Sequence, residues 1–270
     1  MLRLVTAAER LGTRTNSLVV CGRAKIGKTS LLFTLSAPET LVLDLEAGLA
    51  SVSGWHGDSV ALRSWPDIIN IVCLLGGPDP SRAPEEAFSA AHFEHAVEIS
   101  GGIDPSRYAC VFVDSITDLS RIAFHWSKSQ PDAFSSRTGR QDLRGAYGLL
   151  GREVVGLLKH LQHSDKTVIF VGGLDNFTNE LGREIFSLQT EGAKISSELP
   201  YIVDQVVTMS DFDYDTITNT WIHNLGKGAV RALCCQSPNP WGLPAGDRSG
   251  CLDLIEEPNL ARLLFKINTS

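Results

Sequence analysis

No stretch of this 270-residue chain is apolar for the length a bilayer span requires, and its opening residues, Met-Leu-Arg-Leu-Val-Thr-Ala-Ala-Glu-Arg, lack the long apolar core of a secretion signal. The expectation is a soluble, cytoplasmic protein with no membrane partner. The six cysteines (Cys21, Cys73, Cys110, Cys234, Cys235 and Cys251) include no C-x-x-C pair, which fits reduced thiols used as small core residues. His92/His95 and His160/His163 have helical i,i+3 spacing but no cysteine or carboxylate at metal-ligand spacing, so they read as surface or packing residues. Basic charge is also short. The 24 Lys and Arg stand against 31 Asp and Glu, a formal net charge of -7, which excludes a broad basic surface that coats nucleic acid and leaves only local contacts. There is no internal repeat, no coiled-coil pattern and no guanine-reading N-K-x-D motif.

What the chain does carry is a complete G-x-x-x-x-G-K-T phosphate loop: Gly22, Arg23, Ala24, Lys25, Ile26, Gly27, Lys28, Thr29 and Ser30, following the apolar run Ser17-Leu-Val-Val-Cys21. The glycines let successive backbone N–H groups turn toward phosphate oxygens, and a helix expected from Lys28 to about Leu35 presents its positive end to the same anion. Lys28 is the candidate for the β- and γ-phosphates and Thr29 for a hydroxyl on Mg²⁺. A second apolar run, Tyr108-Ala-Cys-Val-Phe-Val113, closes on Asp114, placed to bind Mg²⁺ through water. A third, Leu41-Val-Leu-Asp44, is followed by Glu46, the candidate to orient and deprotonate water. Nucleotide and Mg²⁺ are therefore the expected ligands.

The rest of the chain alternates buried strands with helices, the pattern of an α/β fold with a mostly parallel central sheet. Helices are expected at about Trp65 to Leu75, from Pro84 through Val97, at Ser115 to Lys128 and at Gln141 to His163. A strand is expected at Thr167 to Val171. The stretch Gly172 to Ser197 lacks strong periodicity and reads as a functional loop. Val203 to Met209, Thr220 to His223 and Val230 to Cys234 read as an antiparallel extension, and Asn259 to Phe265 as a terminal helix. Asp211-Phe-Asp213-Tyr-Asp215 starts like a calcium loop, but Thr216 replaces the needed glycine and Ile222 the bidentate Glu, so a solvated hairpin is expected. The division is an N-terminal segment 1–16, a core 17–210 and a C-terminal β extension with terminal helix, 211–270.

This order of motifs resembles the core of RecA-type recombination ATPases over approximately Ser17 to Met209. Val113-Asp114-Ser115 looks like the second Walker motif, and Leu43-Asp44-Leu-Glu46 like the strand whose Glu activates water. Glu191-Gly-Ala-Lys-Ile-Ser resembles the end of the second DNA-binding loop, which places that loop within 174–197 and the first within 129–144. The tail, Asp247-Arg248-Ser249-Gly250 and then Glu-Glu-Pro-Asn-Leu, resembles phage-encoded RecA-like ATPases associated with single-strand annealing, which would place the chain in a host cytoplasm. The resemblance implies a RecA-like P-loop fold, ATP rather than GTP, a homo-oligomer and single-stranded DNA as partner. It also implies a catalytic cation from a neighbouring subunit, with Arg248 the candidate, Lys227 behind it and Arg23 a further one. DNA contacts are expected from Arg137, Arg140, Arg144, Arg183 and Lys194, with Phe177, Phe134 and Phe186 to stack on bases.

Two features depart from that pattern. The strand after the long helix ends Val171-Gly172-Gly173, where RecA-type cores place a polar γ-phosphate sensor; Asp175, Asn176 and Thr178 are the substitutes. The expected second loop carries Asp175, Glu180, Glu184 and Glu191 against Arg183 and Lys194, a poor counter-surface for phosphates. A nucleotide-dependent switch or assembly protein that touches no DNA therefore stays open as the alternative. A small-molecule kinase with Arg137, Arg140 and Arg144 as its lid is a third reading, although the Asp-x-Glu placement suits water activation better.

Overall fold

The computed structural model describes residues 15–269 except 179, 181, 183, 225, 227 and 228. Arg183 and Lys227, and the N-terminal segment but for its last residues, thus lie outside the described residues. The apolar runs do become strands: β1 (Ser17–Gly22), β2 (Thr40–Asp44), β3 (Asp58–Ala61), β4 (Cys110–Asp114) and β5 (Thr167–Thr178). With the first half of β7 (Gln205–Asp215) they run parallel in the order β7-β1-β5-β4-β2-β3. β1, β2 and β4 are buried nearly throughout because both faces of the sheet are covered, which is why they read as continuous rather than alternating apolar runs.

One face is covered by α1 (Trp65–Gly76), α2 (Ala90–Ile99), α3 (Ile116–Ser127), α4 (Leu143–Gln162) and α5 (Ala193–Ile202). The other face packs the turn after the phosphate loop and α6 (Leu260–Asn268). Side-chain caps set the helix starts: Ser64, Ser89, Ser115, Asp142 and Asn259 each accept a backbone N–H of the first turn. The helix expected from Pro84 starts later, at Ala90, because Ser89 is its cap and Phe88 just before it takes a φ of 69°. The helix expected from Lys28 is a 3-10 turn, Thr29–Thr34.

The expected functional loop from Gly172 to Ser197 is not a loop. β5 runs on to Thr178 and pairs antiparallel with β6 (Glu184–Gln189), after which α5 follows. Leu174, Phe186 and Leu188 turn toward buried clusters while Asp175, Phe177, Ile185 and Ser187 share the other face, so the alternation there is that of a half-buried hairpin. β7 likewise outruns β1 and forms the expected hairpin with β8 (Thr220–His223). β9 (Val230–Cys234), β10 (Gly246–Asp247) and β11 (Ile255–Glu256) complete the antiparallel C-terminal strands, with β9 and β10 on β7 and β11 on β9. Registers fix where the two hairpins rise. Phe212 pairs with Val230 on one side and His223 on the other, which sets β8 in line with β1 beyond Gly22. Gly173 pairs with Gly22 and with Gln189, which sets β6 in line with β4 beyond Asp114.

Candidate nucleotide site

The phosphate loop leaves the C-terminal end of β1 under close packing. A Cβ on Gly22 would lie 2.8 Å from the Met209 carbonyl oxygen, and Gly27 has a φ of +102°, so both positions require glycine. Lys28 folds back across the loop, its Nζ donating to the carbonyl oxygens of Gly22 and Arg23, each at 2.9 Å. Burial holds its pKa below the ordinary lysine value, against the opposing pull of Glu46 and Asp114.

Across from the loop, Asp114 closes β4. Its side chain is 2% exposed and accepts a 2.8 Å hydrogen bond from the Thr29 hydroxyl. Burial is the main reason its carboxyl is pushed up to about 6; the Thr29 bond and Lys28 work against that, and Glu46 and Asp44 add to it. The Asp114 carbonyl accepts from the N–H groups of Leu45 (2.8 Å) and Glu46 (3.3 Å), so the backbone carrying Glu46 is tied to the end of β4. Asp44 serves structure: it accepts from the Gly48 N–H at 3.3 Å, and its carbonyl accepts from Arg63 at 2.9 Å.

These groups line one cleft of about 870 Å³, with Lys28, Thr29, Glu46 and Asp114 all on its walls. Among the lining residues that the sequence did not single out are Thr117, Arg121 and Gln189. β5 lies between β1 and β4, so a side chain at Gly173 would stand between the loop and Asp114. There a Cβ would be 2.3 Å from the Gln189 Oε1, which takes that place from the neighbouring strand. Thr117 fixes the arrangement, donating to the Gln189 carbonyl at 2.8 Å and accepting from the Gly173 N–H at 2.9 Å. The Gln189 amide donates to Asp175 at 2.9 Å. Arg121 pairs with Asp118 at 3.1 Å.

Among the described residues the remaining basic and aromatic candidates are not gathered at this cleft. Arg23 pairs with Asp211 at 2.8 Å beside the loop. Arg248 follows β10, at the start of β7 and so at the opposite end of the strands from the phosphate loop, held by Asp204 at 2.7 Å and the Tyr201 carbonyl at 3.3 Å. Within its own chain it does not reach the phosphate loop. Arg137, Arg140 and Arg144 are exposed on the segment entering α4, and Phe177 is 52% exposed on β5. Lys194, on α5, packs on Gly151 and lies 3.9 Å from Glu198. Phe186 is partly buried against the cluster around Phe212 and Leu243.

Cation chemistry at the cleft can be tested on its donors. Thr29 and Asp114 offer a hydroxyl and a carboxylate, hard oxygen ligands suited to Mg²⁺ with phosphate and water completing the shell. Among the described residues there is no group of three or more His, Cys, Asp or Glu that could hold a metal on its own.

The family model AAA_24, described as an AAA domain, matches residues 14–249. No curated protein matches the chain. Among solved structures the chain is similar to an ATPase from the type III secretion system of pathogenic bacteria, with 15% identity, a TM-score of 0.36 and coverage of 72% of this chain and 51% of that one. The chain thus spans about half that protein's length. Among the described residues no helix is long and apolar enough to cross a membrane.

Proposed function

The chain belongs to the AAA-domain family of P-loop ATPases, and on that premise we propose that Lys28, Thr29, Asp114 and Glu46 carry Mg²⁺-dependent hydrolysis of ATP. The observation that carries this reading is the 2.8 Å contact between the Thr29 hydroxyl and the buried Asp114 carboxylate, with Glu46 pinned beside it by the Asp114 carbonyl. Backbone N–H groups of the loop and Lys28 bind the phosphates; Lys28 exchanges its two carbonyl partners for phosphate oxygens. Thr29 and Asp114 would hold Mg²⁺, which when bound neutralises charge on the phosphate oxygens. Glu46, exposed on the cleft wall, orients a water and takes its proton. Gln189 supplies the polar group that Gly173 cannot, facing the cleft from the adjacent strand. Residues 17–210 act as the core and 211–270 as an extension completing the sheet. Glu46→Gln is expected to keep ATP binding and lose turnover by about 10²–10⁴-fold; full turnover in that variant removes Glu46 from the role.

As macromolecular partner we propose single-stranded DNA, in recombination or annealing, running over the segment entering α4 and the β5–β6 hairpin. Support comes from Arg137, Arg140 and Arg144, exposed and without an ion pair among the described residues, and from exposed Phe177. A homo-oligomer belongs to the same reading, since Arg248 meets a phosphate loop only in another copy. The switch reading keeps one specific observation in its favour. Asp211, Asp213 and Asp215 line the same face of the β7–β8 hairpin beside the loop, a surface that repels a phosphate backbone. Phosphate release measured with and without oligonucleotide separates them: stimulation supports the DNA-dependent enzyme, and no salt-sensitive anisotropy change with labelled oligonucleotide ends it.

A further inference from the structure

The C-terminal strands also touch the nucleotide site. Arg231 lies on β9, and its guanidinium rests against the phosphate loop: a Cβ on Gly27 would stand 2.4 Å from Nη1 and 3.2 Å from Cζ. Gly27 thus lacks a side chain both for its φ and for the room Arg231 takes. The strand register sets Arg231 opposite Asp211, the natural counter-ion for it. That carboxylate is held instead by Arg23 at 2.8 Å. Among the described residues the Arg231 guanidinium therefore makes no hydrogen bond or ion pair. Asp211 is thus engaged by Arg23, and the Arg231 guanidinium stands unpaired beside Gly27.

We propose that Arg231 is a nucleotide-positioning residue supplied in cis by the C-terminal strands. It braces the Gly27 turn and adds an uncompensated charge beside the phosphates. The role rests on the ATP-binding reading of the loop. It also gives the extension a purpose beyond sheet completion, because a core truncated before β9 loses this charge while keeping every residue of the phosphate-loop motif.

The test compares wild type, Arg231→Met and Arg231→Lys by titration with a fluorescent ATP analogue at low and moderate salt, with steady-state ATPase kinetics and thermal melts alongside. Arg231 is exposed, so all of these are expected to melt together. Arg231→Met is expected to weaken analogue binding about tenfold, with Arg231→Lys between it and wild type, as for loss of a charge-assisted contact. The loss falls on KM more than on kcat, and binding by Arg231→Met has the shallower salt dependence. Wild-type affinity in Arg231→Met, or equal losses in the Met and Lys variants, overturns the proposal. Absence of binding by wild type itself, with Lys28→Ala indistinguishable from it, would instead remove the ATP-binding reading beneath it.

Discussion

Asp114→Asn is expected to make the nucleotide-free protein more stable while abolishing turnover. The Asn carbonyl oxygen still accepts the Thr29 hydroxyl, and the main-chain bonds to Leu45 and Glu46 do not involve the side chain. What the substitution removes is the expense of keeping a carboxylate charged where it is 2% exposed. The rise from an ordinary 3.8 to about 6, at about 1.4 kcal/mol for each pH unit, corresponds to about 3 kcal/mol at neutral pH. For a chain of this length that is about 5 °C in melting temperature. Because the folded-state value lies above the unfolded one, the folded protein holds the extra proton between about pH 4 and 6, so wild-type stability falls as pH rises through that window. The advantage of Asp114→Asn should therefore vanish near pH 4 and be complete above about pH 7. Adding Mg·ATP should reverse the order, since only wild type gains from linked binding. Thermal melts of both proteins from pH 4 to 8, with and without Mg·ATP, decide it. A variant that melts at or below wild type at pH 8 refutes the argument that burial dominates at this carboxylate.

Other expectations test separate parts of the structure. Gln189→Ala should lower kcat by about 10–100-fold with little change in melting, because its amide faces the cleft and not the core; unchanged kcat in single-turnover assays removes it from the site. Gly145→Ala should cost about 3 kcal/mol or more in urea unfolding, since its Cβ would lie 1.8 Å from the Asp132 carbonyl oxygen, a backbone atom; an unshifted midpoint contradicts that packing. His160 stacks on Phe88 at 4.0 Å, and burial is the main cause holding its pKa below the ordinary 6.5. Neutral in the fold, it contributes stability that is present above about pH 6.5 and lost as pH falls below it. His92 and His223 are shifted in the same direction, so His160→Gln should flatten, and not abolish, the loss of melting temperature between pH 7 and 5.5; an unaltered slope assigns the effect to the other two.

The parts of the fold visible in the sequence are those where burial is two-sided or a cap is present. β1, β2 and β4 announce themselves as unbroken apolar runs because neither face meets water. α3 and α4 lie where helices are expected, behind the Ser115 and Asp142 caps. β6 and the far half of β5 were not, because Gly172-Gly173 reads as a break when it is a strand passing between two others. There Leu188 and Ile116 fill the space over Gly172, and Gln189 the space over Gly173. Glycine in a strand marks close approach as readily as a turn, and only the neighbours distinguish the two. The helix expected from Pro84 failed for a simpler reason. Acids after a proline resemble a first turn, but the capping serine stands at 89.

At the site, contiguity separates the readable from the unreadable. The loop residues lie next to one another in the chain, and Asp114 and Glu46 each end or follow a buried run, so their chemistry travels with a local signal. Gln189 and Arg231 have no such signal: each sits on an antiparallel strand, and each meets a glycine far away in the sequence, Gly173 on the strand paired with β6 and Gly27 in the loop after β1. Gly173 gives way to Gln189, and Gly27 to Arg231. In both cases the absence of a Cβ, on β5 at Gly173 and in the phosphate loop at Gly27, is the complement of a polar side chain from a strand later in the chain. That pairing makes a reciprocal test possible. If Gly173 is vacant for the sake of Gln189, then Gly173→Ala alone should impair turnover by displacing the amide, whereas Gly173→Ala combined with Gln189→Ala should cost little beyond Gln189→Ala alone. Additive losses would show that Gly173 matters for a reason other than the side chain it admits.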